Sequence, residues 1–187
     1  MAEQLRRKRD PEARRAAIVA AAAELITEIG VDAITHRMVA ARAEVPLGAT
    51  TQYFSTLDDL REAALALMVS HVEAQLQLMR EALAEHGVTP QALAALISQA
   101  LADVPTVRAD RAVVTAAVHD PKLRALARTW SQQVAAILAP AYGPDRALAA
   151  AVFLDGVLWH SQINDDPLPA RTIEQALAGI LGVGDRS

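Results

Sequence analysis

The chain has 187 residues, of which 52% are hydrophobic and only 3% aromatic, because alanine supplies much of the apolar fraction. This composition, with only 8 glycines, favours an all-α fold, and no run of alternating β-branched residues is long enough to predict a sheet. The absence of cysteine excludes disulfides and thiolate metal sites, and the net charge of −4 argues against coating of nucleic acid without regard to sequence.

Membrane insertion and secretion are not indicated either. The N-terminus is charged and no apolar segment follows it, which is unlike a signal peptide. The longest apolar run covers residues 147–154 and stops at Asp155, far short of the length that spans a bilayer. We therefore expect a soluble cytoplasmic protein, without a membrane partner.

Positive charge is concentrated at the start of the chain. Residues 1–50 hold 8 Lys and Arg against 7 Asp and Glu, a net charge of +1, whereas the remainder carries −5. Four consecutive basic residues form an N-terminal arm: Arg6, Arg7, Lys8 and Arg9. A basic arm on an acidic protein fits a localised nucleic-acid contact, and a solvated tail is the other reading.

Helix start signals recur along the chain as a capping or turn residue followed by proline. Asp10-Pro11, Thr89-Pro90, Asp120-Pro121 and Gly143-Pro144 suit a first helical turn, where the missing proline N–H is not needed. Gly30, Gly87 and Gly143 follow helical patterns as stop signals. The sequence predicts helices at 11–29, 36–43, 47–53, 58–85, 90–102, 106–118, 121–139, 145–163 and 170–181.

Two of the short helices form the pattern that carries function. Thr35 is a good N-cap for a two-turn helix, which Pro46 ends because proline lacks the backbone donor. A second short helix then begins at Leu47, and Phe54 is its expected inward-facing anchor. Two short helices with a tight turn indicate a helix-turn-helix, whose second helix enters the major groove of DNA. The alternative is an ordinary pair of short core helices.

The stretches EIGVDAIT (28–35) and VAARAEVPLGATTQYFSTLDDL (39–60) resemble the DNA-binding domain of the TetR family of repressors. The resemblance covers about residues 12–65 and depends on several positions in register: Gly30, Thr35, Ala40-Ala41, Ala43, Val45, Gly48, Tyr53-Phe54 and Leu60. Two positions depart from it, since family members commonly carry tyrosine in place of Thr51 and lysine in place of Leu57. Both residues usually contact phosphate, so more of the affinity is expected from Tyr53, Arg37 and the arm.

The resemblance implies which side chains meet double-stranded operator DNA. The first helix of the motif would lie on the backbone, with Arg37 able to reach a base edge, while residues 47–52 would face the groove and Tyr53 would hold a phosphate. Threonine and glutamine can also read bases by hydrogen bonding. The candidate DNA contacts are Thr35, His36, Arg37, Leu47, Gly48, Ala49, Thr50, Thr51, Gln52 and Tyr53.

The remainder of the chain resembles the family only in its architecture. That architecture implies a DNA-binding domain at 1–56, and an effector-binding and dimerisation domain at 57–187 whose last two long helices form a homodimer. The expected interface residues on the apolar helix 145–163 are Leu148, Val152, Asp155, Gly156 and Trp159. A central core helix of a monomer is the alternative.

A pocket for a small apolar or aromatic effector is expected in the second domain. Methionine fills adaptable space, and tryptophan offers a large apolar face with one donor. The candidate lining residues are Met68, Met79, His119, Trp130, Trp159 and His160; the alternative for each one taken singly is an ordinary core residue. The sequence names no effector, and no cofactor or metal is expected.

The sequence thus predicts a repressor that an effector releases from a pseudo-palindromic operator. A transcription factor without a ligand, or one regulated by another protein, is the alternative, and activation is open as well. An enzyme is not indicated, because the chain lacks Glu-x-x-His pairs, the His-Glu-x-x-His pattern, a glycine-rich phosphate loop and a G-x-S-x-G elbow. Asp155 and His160 are five residues apart and would not share a helical face well.

Overall fold

The computed structural model describes residues 10–183, without the side chains of residues 105, 106 and 108–111. Within this range the chain forms nine α-helices and no strand, which confirms the all-α prediction. The helices are α1 Pro11–Ile29, α2 His36–Arg42, α3 Leu47–Tyr53, α4 Leu57–His86, α5 Pro90–Ala102, α6 Val104–Ala117, α7 Pro121–Tyr142, α8 Pro144–Ile163 and α9 Ala170–Leu181. We call α1–α3 the head and α4–α9 the body.

The capping residues seen in the sequence hold the helix ends. Asp10, Thr35, Thr89 and Asp120 each accept hydrogen bonds from backbone amides of the first turn that follows. Thr56 forms a full capping box with Asp59 at the start of α4, where each side chain accepts from the other residue's amide. These caps explain why the predicted bounds agree with the structure to within about two residues at most ends.

Helix α7 is longer than predicted, because it continues through Pro140 to Tyr142. A proline inside a helix removes the one backbone bond that its own amide would donate, and this single loss does not end the helix when later amides still pair with carbonyls one turn back. The amide of Gly143 still donates to the carbonyl of Ala139 at 2.9 Å. The helix therefore ends at the glycine and not at the proline.

Two apolar clusters form the core. The head cluster joins α1, α2 and the start of α4 to the end of α6 and the start of α7, with Ile18, Ile26 and Leu123 fully buried. The body cluster joins the rest of α4 and α7 to α5, α8 and α9. Half-buried Val72 on α4 packs against both clusters, so α4 is an element shared by head and body.

None of the helices within residues 10–183 combines the length and the apolar character that a membrane crossing needs.

Candidate nucleic-acid interface

The turn between α2 and α3 is closed by backbone hydrogen bonds. The amide of Val45 donates to the carbonyl of Ala40 at 3.0 Å, and that of Ala43 donates to Val39 at 2.9 Å. Glu44 between them has a φ of 55°, a left-handed conformation that costs an L residue roughly 1–2 kcal/mol. The turn contains no glycine, so Pro46 is the sequence feature that predicts it.

Helix α3 presents one face to solvent. Leu47, Gly48, Thr51 and Gln52 are exposed, whereas Ala49 and Tyr53 are half-buried and Thr50 is fully buried. The exposed residues are at positions i, i+1, i+4 and i+5, which share one side of a helix. Their side chains are small or polar except for Leu47, so the face can approach the edges of bases closely.

Thr50 differs from the expectation that residues 47–52 all face the groove. Its side chain is 0% exposed, and its hydroxyl donates to the carbonyl of Leu47 at 2.8 Å. A helix of two turns stays docked only if one side is buried, and Thr50 lies on that side. We therefore leave its side chain out of the candidate DNA contacts.

The first residues of α2 have separate roles. Thr35 caps the helix, its hydroxyl accepting from the amide of Met38 at 3.3 Å, and Arg37 is exposed. His36 is half-buried, and its Nδ1 is buried without a hydrogen-bond partner among the described residues. The exposed guanidinium of Arg37 is thus the group at this end of α2 best suited to meet a phosphate or a base edge.

Arg42 fastens α2 to α1, a contact that sequence reasoning missed. Its guanidinium donates to both carboxylate oxygens of Glu28 at 2.8 and 2.7 Å, and to Glu24 at 3.2 Å. The hydrogen bond from Arg42 lowers the pKa of Glu28 from its ordinary value. The two acids stand at i and i+4 on α1, a spacing that could have indicated a basic partner.

The junction of α3 and α4 is anchored by Phe54, which is 4% exposed as the sequence indicated. The guanidinium of Arg15 lies 5.1 Å from the centre of the Phe54 ring, a cation–π distance. Both residues line an open cleft of about 480 Å³, together with Tyr53 and Asp59. Hydrogen bonds from Thr56 and Ser55 lower the pKa of Asp59, which keeps the cap ionised.

The arm residues Arg6, Arg7, Lys8 and Arg9 lie outside the described residues, which begin at Asp10.

The six expected effector contacts lie in different surroundings. Met68 belongs to the head cluster, whereas Met79 and Trp130 pack half-buried against the body cluster. His119 is exposed, Trp159 is 49% exposed, and His160 is half-buried with its Nδ1 buried and without a partner among the described residues. The expectation that all six line one pocket is therefore not met: Met68 is part of the head core, and His119 and Trp159 face outward.

Helix α8 carries a stripe of apolar side chains on its outer face. Leu148, Val152, Trp159 and Ile163 are 56%, 58%, 49% and 59% exposed, at spacings that keep them on one side of the helix. Gly156 lies in the same stripe, and a Cβ built on it would have no atom within 4 Å. Four large apolar groups in one row make this surface unusual for a monomer.

Asp155 lies at the edge of this stripe and turns toward α7. Its side chain is half-buried; burial raises its pKa, and a hydrogen bond with Ser131 opposes that effect. Its place in an interface between two chains is therefore less direct than the sequence suggested, because its carboxylate is engaged within its own chain.

Comparison with known proteins identifies a family match that includes the helix-turn-helix. Residues 18–64 match the family model described as bacterial regulatory proteins, tetR family. The matched range contains α2, α3 and the turn between them. No functionally curated protein matches the sequence.

Solved structures resemble most of the chain, in the head and in the body. The multidrug binding protein EbrR complexed with malachite green is 31% identical, with a TM-score of 0.72, and the match covers 89% of this chain and 97% of EbrR. Its complex with ethidium gives 32%, a TM-score of 0.68, and coverage of 89% and 98%. SCO1917 from Streptomyces coelicolor, a member of the TetR family, is 32% identical, with a TM-score of 0.70 and coverage of 89% and 97%.

Proposed function

The chain belongs to the TetR family of bacterial transcriptional regulators, and from that premise we propose that it is a dimeric repressor. In this proposal it acts in the cytoplasm, binds a pseudo-palindromic operator through two heads, and is released by a small aromatic effector. We retain the division into a DNA-binding domain at 1–56 and an effector-binding and dimerisation domain at 57–187.

The exposed face of α3 is the observation that carries the DNA-binding part of the proposal. Thr51 and Gln52 offer hydrogen-bonding groups on that face, and Gly48 allows close approach of the backbone. Exposed Arg37 on α2 and half-buried Tyr53 at the end of α3 flank it and are our proposed phosphate contacts. Thr35 and His36 would support Arg37 from the start of α2, and Leu47 and Ala49 would contribute apolar contact.

The apolar stripe on α8 supports the dimer. Trp159, Val152 and Leu148 would meet the same residues of a second copy, as a two-fold interface requires. Gly156 and Gly179 have open space over their Cα atoms, so α8 and α9 could both approach a partner closely. A two-fold dimer would set its heads on successive major grooves, one helical turn of DNA apart.

The likeness to EbrR, which has been crystallised with malachite green, proflavin and ethidium, supports an aromatic effector. In the body, Trp130 and Met79 lie half-buried against the apolar cluster, and His160 has a buried ring nitrogen without a described partner. We propose that these three contact the effector. Binding there would shift α4, which both clusters share, and a change in head separation would lower operator affinity.

Selection of operators from random DNA tests the proposal. The purified protein is expected to enrich a sequence with two related half-sites, and to bind it with a steep dependence on salt. An unrelated duplex of equal length is the control. Equal and weak binding of both duplexes, with no enriched sequence, would contradict the repressor function.

Displacement from the enriched duplex tests the effector. Malachite green, proflavin and ethidium are titrated separately; since such dyes also bind DNA, each is tested against Trp130→Ala as well as wild type. Release of wild type at concentrations that leave Trp130→Ala bound supports the effector site. Equal release of wild type and Trp130→Ala favours a regulator without a ligand or one controlled by another protein. A reporter gene that carries the operator decides between repression and activation.

A further inference from the structure

The loop between α1 and α2 is held by a residue that is distant in sequence, Asp120 at the junction of α6 and α7. One carboxylate oxygen of Asp120 caps α7, accepting from the amides of Lys122 at 2.8 Å and Leu123 at 3.4 Å. The other oxygen accepts from the amide of Val31 in the head at 3.0 Å. A single side chain thus joins the start of α7 to a loop 89 residues earlier in the chain.

The same loop is also held by a residue of α4. Arg61 donates to the carbonyls of Val31 at 3.0 Å and Asp32 at 2.8 Å. The Lys122 ammonium lies 3.5 Å from the carboxylate of Asp32, but both side chains are exposed and such a pair contributes little. The backbone of the loop is therefore fixed mainly by Arg61 and Asp120.

The start of α7 is itself firmly placed in the body. Arg124 donates to the carbonyls of Ala117 at 3.1 Å and Val118 at 2.7 Å, which ties α7 back to the end of α6. Leu123 is 0% exposed in the head cluster, as is Val31. Apolar contact and one directional hydrogen bond thus connect the α6–α7 junction to the head.

We propose that Asp120 is a positioning residue that sets the orientation of the head on the body, through its bond to the amide of Val31. The bonds from Arg61 attach the loop only to α4. The bond to Asp120 attaches it to the start of α7 as well, and this second attachment opposes rotation of the head about α4. The inference rests on the proposed function, because head orientation matters for a protein that reads two half-sites with a fixed separation.

Two substitutions separate the head contact from the helix cap. Asp120→Asn keeps an oxygen for the two amides of α7, but its amide nitrogen then faces the N–H of Val31, and two donors cannot bond. Asp120→Ser also caps a helix well and has no second oxygen. Asp10→Asn is the matched control, since Asp10 caps α1 through amides of Glu12 and Ala13 in the same way.

Head orientation can be measured without DNA. Ala20 on α1 and Ala95 on α5 are exposed, and the chain has no cysteine of its own, so cysteines introduced at both positions accept spin labels selectively. Labelled chain is diluted with unlabelled chain, and pulsed electron paramagnetic resonance gives the distance distribution between head and body. Hydrogen exchange of the Val31 amide, followed by NMR, reports the bond itself.

We expect a broader distance distribution in Asp120→Asn and Asp120→Ser than in wild type and Asp10→Asn. The Val31 amide should exchange roughly tenfold faster in both variants. On the operator selected by wild type, the variants should also discriminate less against duplexes whose half-sites are moved apart or together by one base pair, while binding a single half-site as wild type does.

Each contrary outcome has a definite meaning. A distribution as narrow as that of wild type in both variants, with the Val31 amide exchanging fast, overturns the positioning role of Asp120. Unchanged protection of the Val31 amide in Asp120→Ser overturns the contact. Failure of wild type to select any operator would count against the proposed function instead, because neither the distance distribution nor the exchange rate depends on DNA.

Discussion

Arg42 on α2 holds Glu28 on α1 through two parallel hydrogen bonds of 2.8 and 2.7 Å, and this pair fixes the first helix of the DNA-reading unit against the rest of the head. Bidentate pairing of guanidinium and carboxylate is the most directional form of ion pair. Glu24 adds a third contact at 3.2 Å. The orientation of α2 therefore depends on charge as well as on the buried face of Val39.

A double-mutant cycle on Arg42→Ala and Glu28→Ala should reveal this coupling. We expect each single variant to lower the free energy of unfolding, and the double variant to lower it by less than their sum. The coupling should weaken as salt is added, because the side chains are partly exposed. The exposed pair of Lys122 and Asp32, 3.5 Å apart, is the control and should give a smaller coupling; equal coupling in both cycles would contradict the fastening role of Arg42.

Two adjacent threonines on α3 should respond differently to the same substitution. Thr50→Val removes a fully buried hydroxyl that donates to Leu47, and we expect a loss of about 1 kcal/mol in the free energy of unfolding. Thr51→Val changes an exposed residue and should leave stability within about 0.5 kcal/mol, but should weaken operator binding. Urea unfolding and DNA titration of both variants check this; the reverse pattern would mean that α3 docks in another register.

This pair also shows where sequence reasoning stops. The pattern of caps and prolines predicted the helices and the helix-turn-helix, because those signals are local. Which side of a two-turn helix is buried depends on the neighbours that it meets, so Thr50 and Thr51 could not be told apart. In the same way Asp120 was recognised as a cap, but its second oxygen meets Val31 only because the fold brings the α1–α2 loop to the start of α7.

The stripe on α8 was easier to anticipate than the effector site. A helix that is apolar on most sides must be buried on most sides, which makes Leu148, Val152 and Trp159 candidates for an interface. All three are exposed in the single chain, as an interface requires. Pocket residues have no such pattern, since methionine and tryptophan serve equally in a core. Met68 is an example, because it is buried in the head cluster.

Substitution of Val152 by glutamate should separate the dimer. The variant places a charge in the middle of the exposed apolar stripe, where pairing with a second copy would bury it without a partner. We expect a monomer in sedimentation velocity, with unchanged helix content and much weaker operator binding. Leu78→Glu is the control, because Leu78 is 67% exposed on α4 and lies outside the stripe; dissociation by both variants would show that the effect is not specific to α8.

Gln52→Ala and Arg37→Ala should affect DNA binding differently. If Gln52 reads a base, its loss relaxes preference at one operator position by about 1–3 kcal/mol. Loss of an Arg37 phosphate contact should weaken all sequences alike and reduce the salt slope by about 1. Titration of a set of single-position operator variants over a salt series measures both, and unchanged affinity in both proteins would remove these residues from the interface.

The contact of Asp120 with the head should depend on pH. Burial raises the pKa of Asp120, but hydrogen bonds from the amides of Val31, Lys122 and Leu123, together with the Lys122 charge, outweigh it and leave the pKa below its ordinary value of 3.8. A carboxylate whose pKa is lower in the folded chain contributes stability above the unfolded pKa and loses it as the pH falls through the folded pKa.

The free energy of unfolding should therefore differ most between wild type and Asp120→Asn at neutral pH. We expect the difference to shrink below about pH 4, because protonated Asp120 offers only one free acceptor and resembles the amide. Urea unfolding of both proteins from neutral pH down to about pH 2 measures the difference directly. A difference that stays constant across this range would mean that the charge of Asp120 does not contribute, and that the side chain acts through shape alone.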